Sequence, residues 1–229
     1  MGSPKAALDW HGTPLLRRVT GVLSRAVDGP IVVVSAPGQE LPPLPDTIET
    51  ATDAAPDRGP LQGLASGLAA VGERATVAYV SSVDVPLLHP AFVRSVVGAV
   101  GEHDAAVPLL NGRAQPLAAA YRVGVRDVVA DLLAEDRLAM SALLDRCRVR
   151  SLAAATLPAS YSTMNLNEPR DYEQALALRA PGVSVDGSIV PAWTLGDVLS
   201  GRTAVTLNGE PVEPDPELPL VAGDEVTFS

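Results

Sequence analysis

Lysine is almost absent from this chain: Lys5 stands alone, and the other sixteen basic residues are arginine. Cysteine is as scarce, with Cys147 the sole example, which excludes an internal disulfide and suits a reducing compartment. Aromatic residues make up 3%, so the core must be built from Leu, Val and Ala. There is no run of about 18 apolar residues of the kind a membrane-spanning helix needs, and the opening residues do not read as a secretory signal. Basic charge is short too. A net charge of -10 argues against a nucleic-acid or anionic-membrane surface, which would need a basic footprint. These absences predict a cytoplasmic protein, and any nucleotide it binds should be a small molecule held by local donors and a metal.

What is present is apolar and regular. The 229 residues are 47% hydrophobic and only 19% charged, enough for a sizeable core in one large domain or one large and one small. Residues 14–27 place Leu15, Leu16, Val19, Val22, Leu23 and Val27 at helical spacing. The β-branched run 31–34 suits a strand buried on both faces. A Pro-rich loop follows, then helix 60–71 and strand 76–82. Further helices are expected at 90–100, 125–134, 140–146 and 169–178, with strands at 104–109, 117–121 and 149–152. Alternation of this kind predicts an α/β fold, a mostly parallel sheet with helices on both faces. Ligands then bind beyond the carboxyl ends of the strands. Near residue 181 the character changes to short strands, 203–207 and 225–228, with turns at Asn208-Gly209 and Gly223-Asp224 and a short helix within 193–199 capped by Thr194. The expected division is 1–180 and 181–229.

Several residues at those strand ends can carry chemistry. The opening Met1-Gly2-Ser3-Pro4-Lys5-Ala6 has the character of the second half of a glycine-rich phosphate loop, in which backbone N–H groups cradle phosphates and a lysine neutralises them. Asp84 in Val83-Asp84-Val85-Pro86 falls just past a strand, where a hard carboxylate suits Mg²⁺, or else simply caps a turn. Asn165 and Asn167 have period-two spacing that would face both amides one way, as metal or phosphate contacts. Alternatively, this stretch is a turn before a helix starting at Pro169, with Asn167 as the cap. Asp53, with Asp57 as competitor, and Arg58-Gly59-Pro60-Leu61-Gln62-Gly63 offer a ribose or base acceptor and glycines that permit close approach of a flat ligand. Gln115-Pro116 is either a substrate contact or a loop. His11, His89, His103 and Cys147 are scattered and receive no role.

Taken in order, Met1-Gly-Ser-Pro-Lys5-Ala, Gly12-Thr-Pro-Leu-Leu, Asp53 with Arg58-Gly-Pro-Leu-Gln-Gly63, Asp84-Val-Pro, Gln115-Pro-Leu and Asn165-Leu-Asn167-Glu-Pro resemble the nucleotidyltransferases of the molybdenum-cofactor guanylyltransferase type. The resemblance spans residues 1 to about 178. It implies a Rossmann-like, three-layer domain, Mg²⁺ dependence, and transfer of GMP from GTP to a molybdopterin-type acceptor with release of pyrophosphate. It also implies Gly2 and Lys5 on the triphosphate, Asp84 on Mg²⁺ with Asn167, and Asp53, Gly59 and Gly63 on the nucleoside. Gln115, Asn165 and Asn167 would face the acceptor. Related cytidylyl or sugar-phosphate transferases, and a non-catalytic scaffold, remain open alternatives. In the family a strand and a Leu-Ala-Gly-Gly-type stretch precede the Met-Gly, so the resemblance implies weak or no catalysis for the 229 residues as they stand. Residues 181–229, through Leu207-Asn-Gly-Glu210 and Ala222-Gly-Asp-Glu-Val-Thr-Phe228, resemble the β-grasp sulphur carrier of molybdopterin synthase. That resemblance implies partners among the proteins of molybdenum-cofactor synthesis. The family's Gly-Gly tail is not among these residues, so sulphur carriage is not expected of them.

Overall fold

The computed structural model describes residues 5–53, 55 and 58–229. A two-residue antiparallel ladder, β1 (Asp9–Trp10) with β2 (Thr13–Pro14), turns the chain into α1 (Leu15–Ser24). There follow β3 (Ile31–Ser35), β4 (Ile48–Thr52), α2 (Pro60–Val71), β5 (Val77–Ser81) and α3 (Pro90–Gly98). Then come β6 (Ala105–Leu110), β7 (Arg113–Ala114), β8 (Ala118–Arg122), α4 (Arg126–Ala134), α5 (Met140–Arg146), β9 (Val149–Ala153) and α6 (Pro169–Leu176).

The central sheet runs β5-β8-β6, with β9 parallel to β6 on its far edge and β7 antiparallel to the end of β6. Its strands alternate as period two demands: Val107, Ala119 and Tyr121 face α2, α4 and α5, whereas Ala106, Ala118 and Ala120 face α1 and α3. Helices therefore cover both faces, as expected. The sheet is mixed: β5, β6 and β9 run in one direction, as expected of a mostly parallel sheet, whereas β8 runs antiparallel to both β5 and β6. The connection from Leu110 to Ala118 is too short for a crossover, which needs a dozen or more residues; Asn111 and Gly112, both at positive φ, turn the chain straight back. The Pro-rich loop also conceals β4, which pairs parallel with β3 from Ile31↔Ile48 to Ser35↔Thr52. Among the described residues this pair forms a sheet of its own, separate from β5.

The last part folds around its own apolar cluster of Val183, Leu195, Val205, Leu207, Leu220 and Val226. Its elements are β10 (Gly182–Val185), β11 (Ser188–Pro191), α7 (Gly196–Leu199), β12 (Val205–Leu207), β13 (Glu210–Val212) and β14 (Glu225–Phe228). The strand order is β11-β10-β14-β12-β13, with β10 parallel to β14 and the other pairs antiparallel. Both hairpins use two-residue turns with positive φ at each position, Asp186-Gly187 and Asn208-Gly209, the arrangement that matches strand twist. The expected helix within 193–199 shrinks to α7, and Thr194 is not its cap; instead the Asp197 carboxylate accepts from the Trp193 and Thr194 backbone N–H groups.

This sheet sits directly on α1. Arg17 and Arg25 form ion pairs with Asp215 and Asp224, and Val221 enters the cluster of Val19, Val22 and Phe92. A Cβ on Gly21 would lie 2.6 Å from Cδ of Pro219. Gly21→Ala should therefore lower stability, because overpacking costs about 1–3 kcal/mol and exceeds the gain in helix propensity of about 1 kcal/mol. A urea midpoint equal to or above that of the parent would contradict this packing.

His11 stacks on Trp193, ring centroids 4.7 Å apart and planes 11° from parallel. Burial and the nearby Arg18 charge push its pKa below the ordinary value. The unfolded chain thus takes up this proton first on acidification, so stability is full above the unfolded value of about 6.5 and declines as pH falls through it. The melting temperature should drop between about pH 7.5 and 5.5, and His11→Asn, which tolerates the positive φ of 50°, should flatten that decline.

Candidate active site at the carboxyl ends of the strands

The segment after β5 carries the candidate centre. Ser82 donates its N–H to Leu117 O at 3.1 Å, which fixes the chain beside the start of β8. Two residues on, the Asp84 backbone carbonyl accepts from Leu166 N at 2.9 Å. The Asp84 side chain is largely buried, and its Oδ2 accepts from Lys5 Nζ at 2.6 Å. The other oxygen, Oδ1, is buried and has no partner among the described residues. An orphaned carboxylate oxygen is costly to leave desolvated, and it is the donor a hard cation would take.

The structure therefore brings together Lys5, Asp84 and the Asn165-Leu166-Asn167 segment, which are far apart in the chain; no hydrogen bond or ion pair among the described residues joins the Gln115 side chain to them. Leu166 is fully buried and anchors the two asparagines on either side of itself. Residues 164–167 form no strand, however, so the period-two argument for Asn165 and Asn167 is corrected. Asn165 is half-buried and Asn167 exposed, with the Asn167 backbone N–H donating to Asp171 at 3.0 Å. The cap of α6 is Glu168 rather than Asn167, in a reciprocal capping box with Asp171. Gln115 lies where β8 begins and turns its side-chain amide back to Arg113 O at 3.1 Å.

Asp53 directly follows β4, and its N–H donates to Ser35 O at 2.7 Å, so it shares the carboxyl end of the β3–β4 pair. Its carboxylate accepts from Ala55 N at 3.2 Å and from the Ser66 hydroxyl on α2 at 3.3 Å. Gly59 caps α2 with φ 75° and ψ -174°, a backbone conformation that requires glycine. Gly63 lies in the first turns of α2 and lines the large cavity beside β3 and β5. No hydrogen bond or ion pair among the described residues joins Asp53, Gly59 or Gly63 to the Lys5–Asp84 pair. Arg58 reaches instead to Leu133 O and Asp136 at the end of α4. Gly2 and Asp57 lie outside the described residues.

One residue escaped the sequence reading. Arg18, almost completely buried on α1, donates Nε to Pro86 O at 2.5 Å and Nη1 to Trp193 O at 3.2 Å. Its guanidinium also lies 5.2 Å from the Trp193 ring centroid. Burial, reinforced by Arg25, pushes its pKa down to about 10, so it stays charged at neutral pH. Arg18 thus braces the Asp84-Val85-Pro86 turn from behind. The signal available was a charge one position from the apolar stripe of Leu15, Val19 and Val22.

A single carboxylate is a sparse metal site, and no group of three or more His, Cys, Asp or Glu residues is arranged to hold a metal among the described residues. Such sparseness fits Mg²⁺, which keeps several waters and takes one or two carboxylates plus substrate phosphates. No described helix is long and apolar enough to cross a membrane.

Comparison with known proteins bears on the family and the fold. Residues 1–152 match the family described as MobA-like NTP transferase domain. A probable molybdenum cofactor guanylyltransferase of Mycolicibacterium paratuberculosis is 35% identical over 184 residues, covering 79% of this chain and 90% of the relative. One from Bacillus cereus is 29% identical over 180 residues, covering 76% and 88%. Among solved structures, molybdopterin-guanine dinucleotide biosynthesis protein A from Archaeoglobus fulgidus superposes with a TM-score of 0.60 at 20% identity, covering 76% of this chain and 89% of that one. A 2-C-methyl-D-erythritol 4-phosphate cytidylyltransferase from Thermus thermophilus gives 0.61 at 21% identity, covering 77% and 93%. At these identities the superpositions establish a shared fold.

Proposed function

We infer the activity from one premise: the chain belongs to the MobA-like NTP transferase domain family, and it is a nucleotidyltransferase. The proposed reaction is transfer of GMP from GTP to the terminal phosphate of a molybdopterin-type acceptor, with release of pyrophosphate. The observation that carries the reading is the paired Lys5 ammonium and Asp84 carboxylate at the strand ends, with one Asp84 oxygen left without a partner. The guanylyltransferase names of the relatives in Mycolicibacterium and Bacillus support the choice of base and acceptor.

In this account Asp84, supported by Asn167, would hold Mg²⁺, which would supply charge neutralisation to the phosphates when bound. Lys5 exchanges the carboxylate for triphosphate oxygens as nucleotide enters, with Gly2 beside it. Asp53, Gly59 and Gly63 form the nucleoside side, whereas Gln115, Asn165 and Asn167 orient the acceptor phosphate. The acceptor oxygen attacks the α-phosphorus in line as the bond to the pyrophosphate oxygen breaks, so catalysis consists of positioning and charge stabilisation. We also propose that residues 181–229 form a β-grasp module of sulphur-carrier type. Its support is the order of two hairpins and a final strand, with β10 and β14 parallel at the centre. Other proteins of molybdenum-cofactor synthesis would then be its partners.

Calorimetric titration with each of the four NTPs in the presence of Mg²⁺ tests the base. GTP is expected to bind at least about tenfold more tightly than CTP, a difference of about 1.4 kcal/mol. Preference for CTP would move the reading to a cytidylyltransferase. Binding of no NTP would leave a scaffold and sink the proposal.

A further inference from the structure

Among the described residues Arg18 is a buried cation with no carboxylate in contact. Its Nε and Nη1 donate to the carbonyls of Pro86 and Trp193, and Nη2 makes no hydrogen bond among those residues. Two indole rings, of Trp10 and Trp193, have their centroids 5.8 and 5.2 Å from the guanidinium carbon. The acid whose charge reaches it, Asp224, is already paired with Arg25. Carbonyls and ring faces offset part of the cost of burying this charge, but a buried charge is ordinarily met by a counter-ion. Arg18 also lines a cavity of about 220 Å³ at the seam between the central domain and the last sheet. Leu87, Leu88 and Tyr161 supply one side, and Trp193 and Val221 the other. His89 ties the two sides together: its Nδ1 accepts from Ala91 N, so the ring proton is on Nε2 and donates to Ala222 O at 3.1 Å.

We propose that this seam cavity binds a small organic carboxylate, one anionic head on an apolar body of a single ring or short aliphatic chain. Charge complementarity carries the assignment. Leu178 and Arg179, which follow α6, are exposed at the cavity, and Arg179 has no hydrogen bond or ion pair among the described residues. Two arginines therefore meet there, and no Asp or Glu is among the lining residues, in a chain whose net charge is -10. The rest of the lining is apolar, which suits a hydrocarbon body and disfavours a doubly charged, strongly hydrated head such as phosphate. The volume lies below the roughly 300 Å³ at which drug-sized sites begin, so the occupant is small. None of Lys5, Asp84, Gln115, Asn165 or Asn167 lines the cavity, so the site is separate from the nucleotide centre and does not rest on the proposed reaction. Arg18 still links the two, because the Pro86 carbonyl on which it sits ends the Asp84 turn.

Tryptophan fluorescence reads this site directly. Trp193 lines the cavity, and Trp10, the other tryptophan of the chain, has its ring centroid 5.3 Å from that of Trp193. The full chain, without nucleotide, is titrated with phenylacetate and with its neutral isostere phenylacetamide. The acid should shift the emission with a Kd of about 1 mM or below and bind at least about tenfold more tightly than the amide, because the hydrogen bonds to its head are charge-assisted. Arg179→Glu and Leu178→Asp, both at exposed positions, should leave the melting temperature unchanged and weaken the acid roughly tenfold more than the amide. Equal binding of acid and amide would overturn the proposal, as would an acid affinity that neither substitution alters. No change in emission up to about 20 mM acid would overturn it too. Inorganic phosphate binding as tightly as phenylacetate would show that the apolar body contributes nothing, and the carboxylate assignment would fail.

Discussion

Asp84→Ala should lower the rate of nucleotidyl transfer by roughly 10²–10³-fold, the usual effect of removing one group that stabilises transition-state charge. It should also erase the Mg²⁺ dependence of nucleotide binding. Among the described residues Asp84 is the only carboxylate paired with Lys5, and it keeps a buried oxygen free of any partner there. The fold should not suffer. Deleting a buried carboxylate with an unsatisfied oxygen removes a desolvation cost, and Lys5, with its side chain 34% exposed, can return to water. The melting temperature of Asp84→Ala should therefore equal or exceed that of the parent, as expected when strain resides in a functional site. Adding Lys5→Ala should cost less in this background than alone, since the two side chains act as a pair. A variant that transfers at the parent rate with unchanged Mg²⁺ dependence would remove Asp84 from the site.

The second large effect concerns stability. Asp224→Ala should destabilise the protein by about 3–5 kcal/mol, the cost of breaking a buried pair from one side. The Asp224 side chain is 4% exposed and that of its partner Arg25 13%. The same carboxylate accepts from Val221 N at 2.8 Å and Asn208 Nδ2 at 3.0 Å. One residue thus closes the turn before β14, ties it to the β12–β13 turn and anchors the sheet to α1. A loss of roughly 10 °C in melting temperature is expected, without a matching loss in intrinsic nucleotide affinity. A shift of one or two degrees would mean that the contact between α1 and the last sheet contributes little.

Much of this was legible in the sequence because it is local. The helices 60–71 and 140–146 are found where their periodicity puts them, and Asn208-Gly209 makes its turn. The Asp186-Gly187 pair between Val185 and Ser188 is an equally plain turn signal for the β10–β11 hairpin. β4 was hidden for a physical reason: its sequence, Ile-Glu-Thr-Ala-Thr, is mostly exposed and lacks the apolar run of an interior strand. The antiparallel course of β8 was not legible from periodicity, which fixes faces but not direction. In the site, Asp84 was found because a carboxylate follows a buried strand. The link from its backbone to Leu166, and the brace from Arg18 to Pro86, arise only when distant segments meet.

The most direct test of the central claim is a single-turnover experiment with the protein in excess over α-labelled GTP, with Mg²⁺ and molybdopterin present, since excess protein makes even slow transfer visible. The account predicts that label passes into a molybdopterin–guanine dinucleotide while an equal amount of pyrophosphate appears, each depending on the acceptor. Folded protein that leaves GTP intact, or that releases pyrophosphate without transferring label to the acceptor, would contradict it.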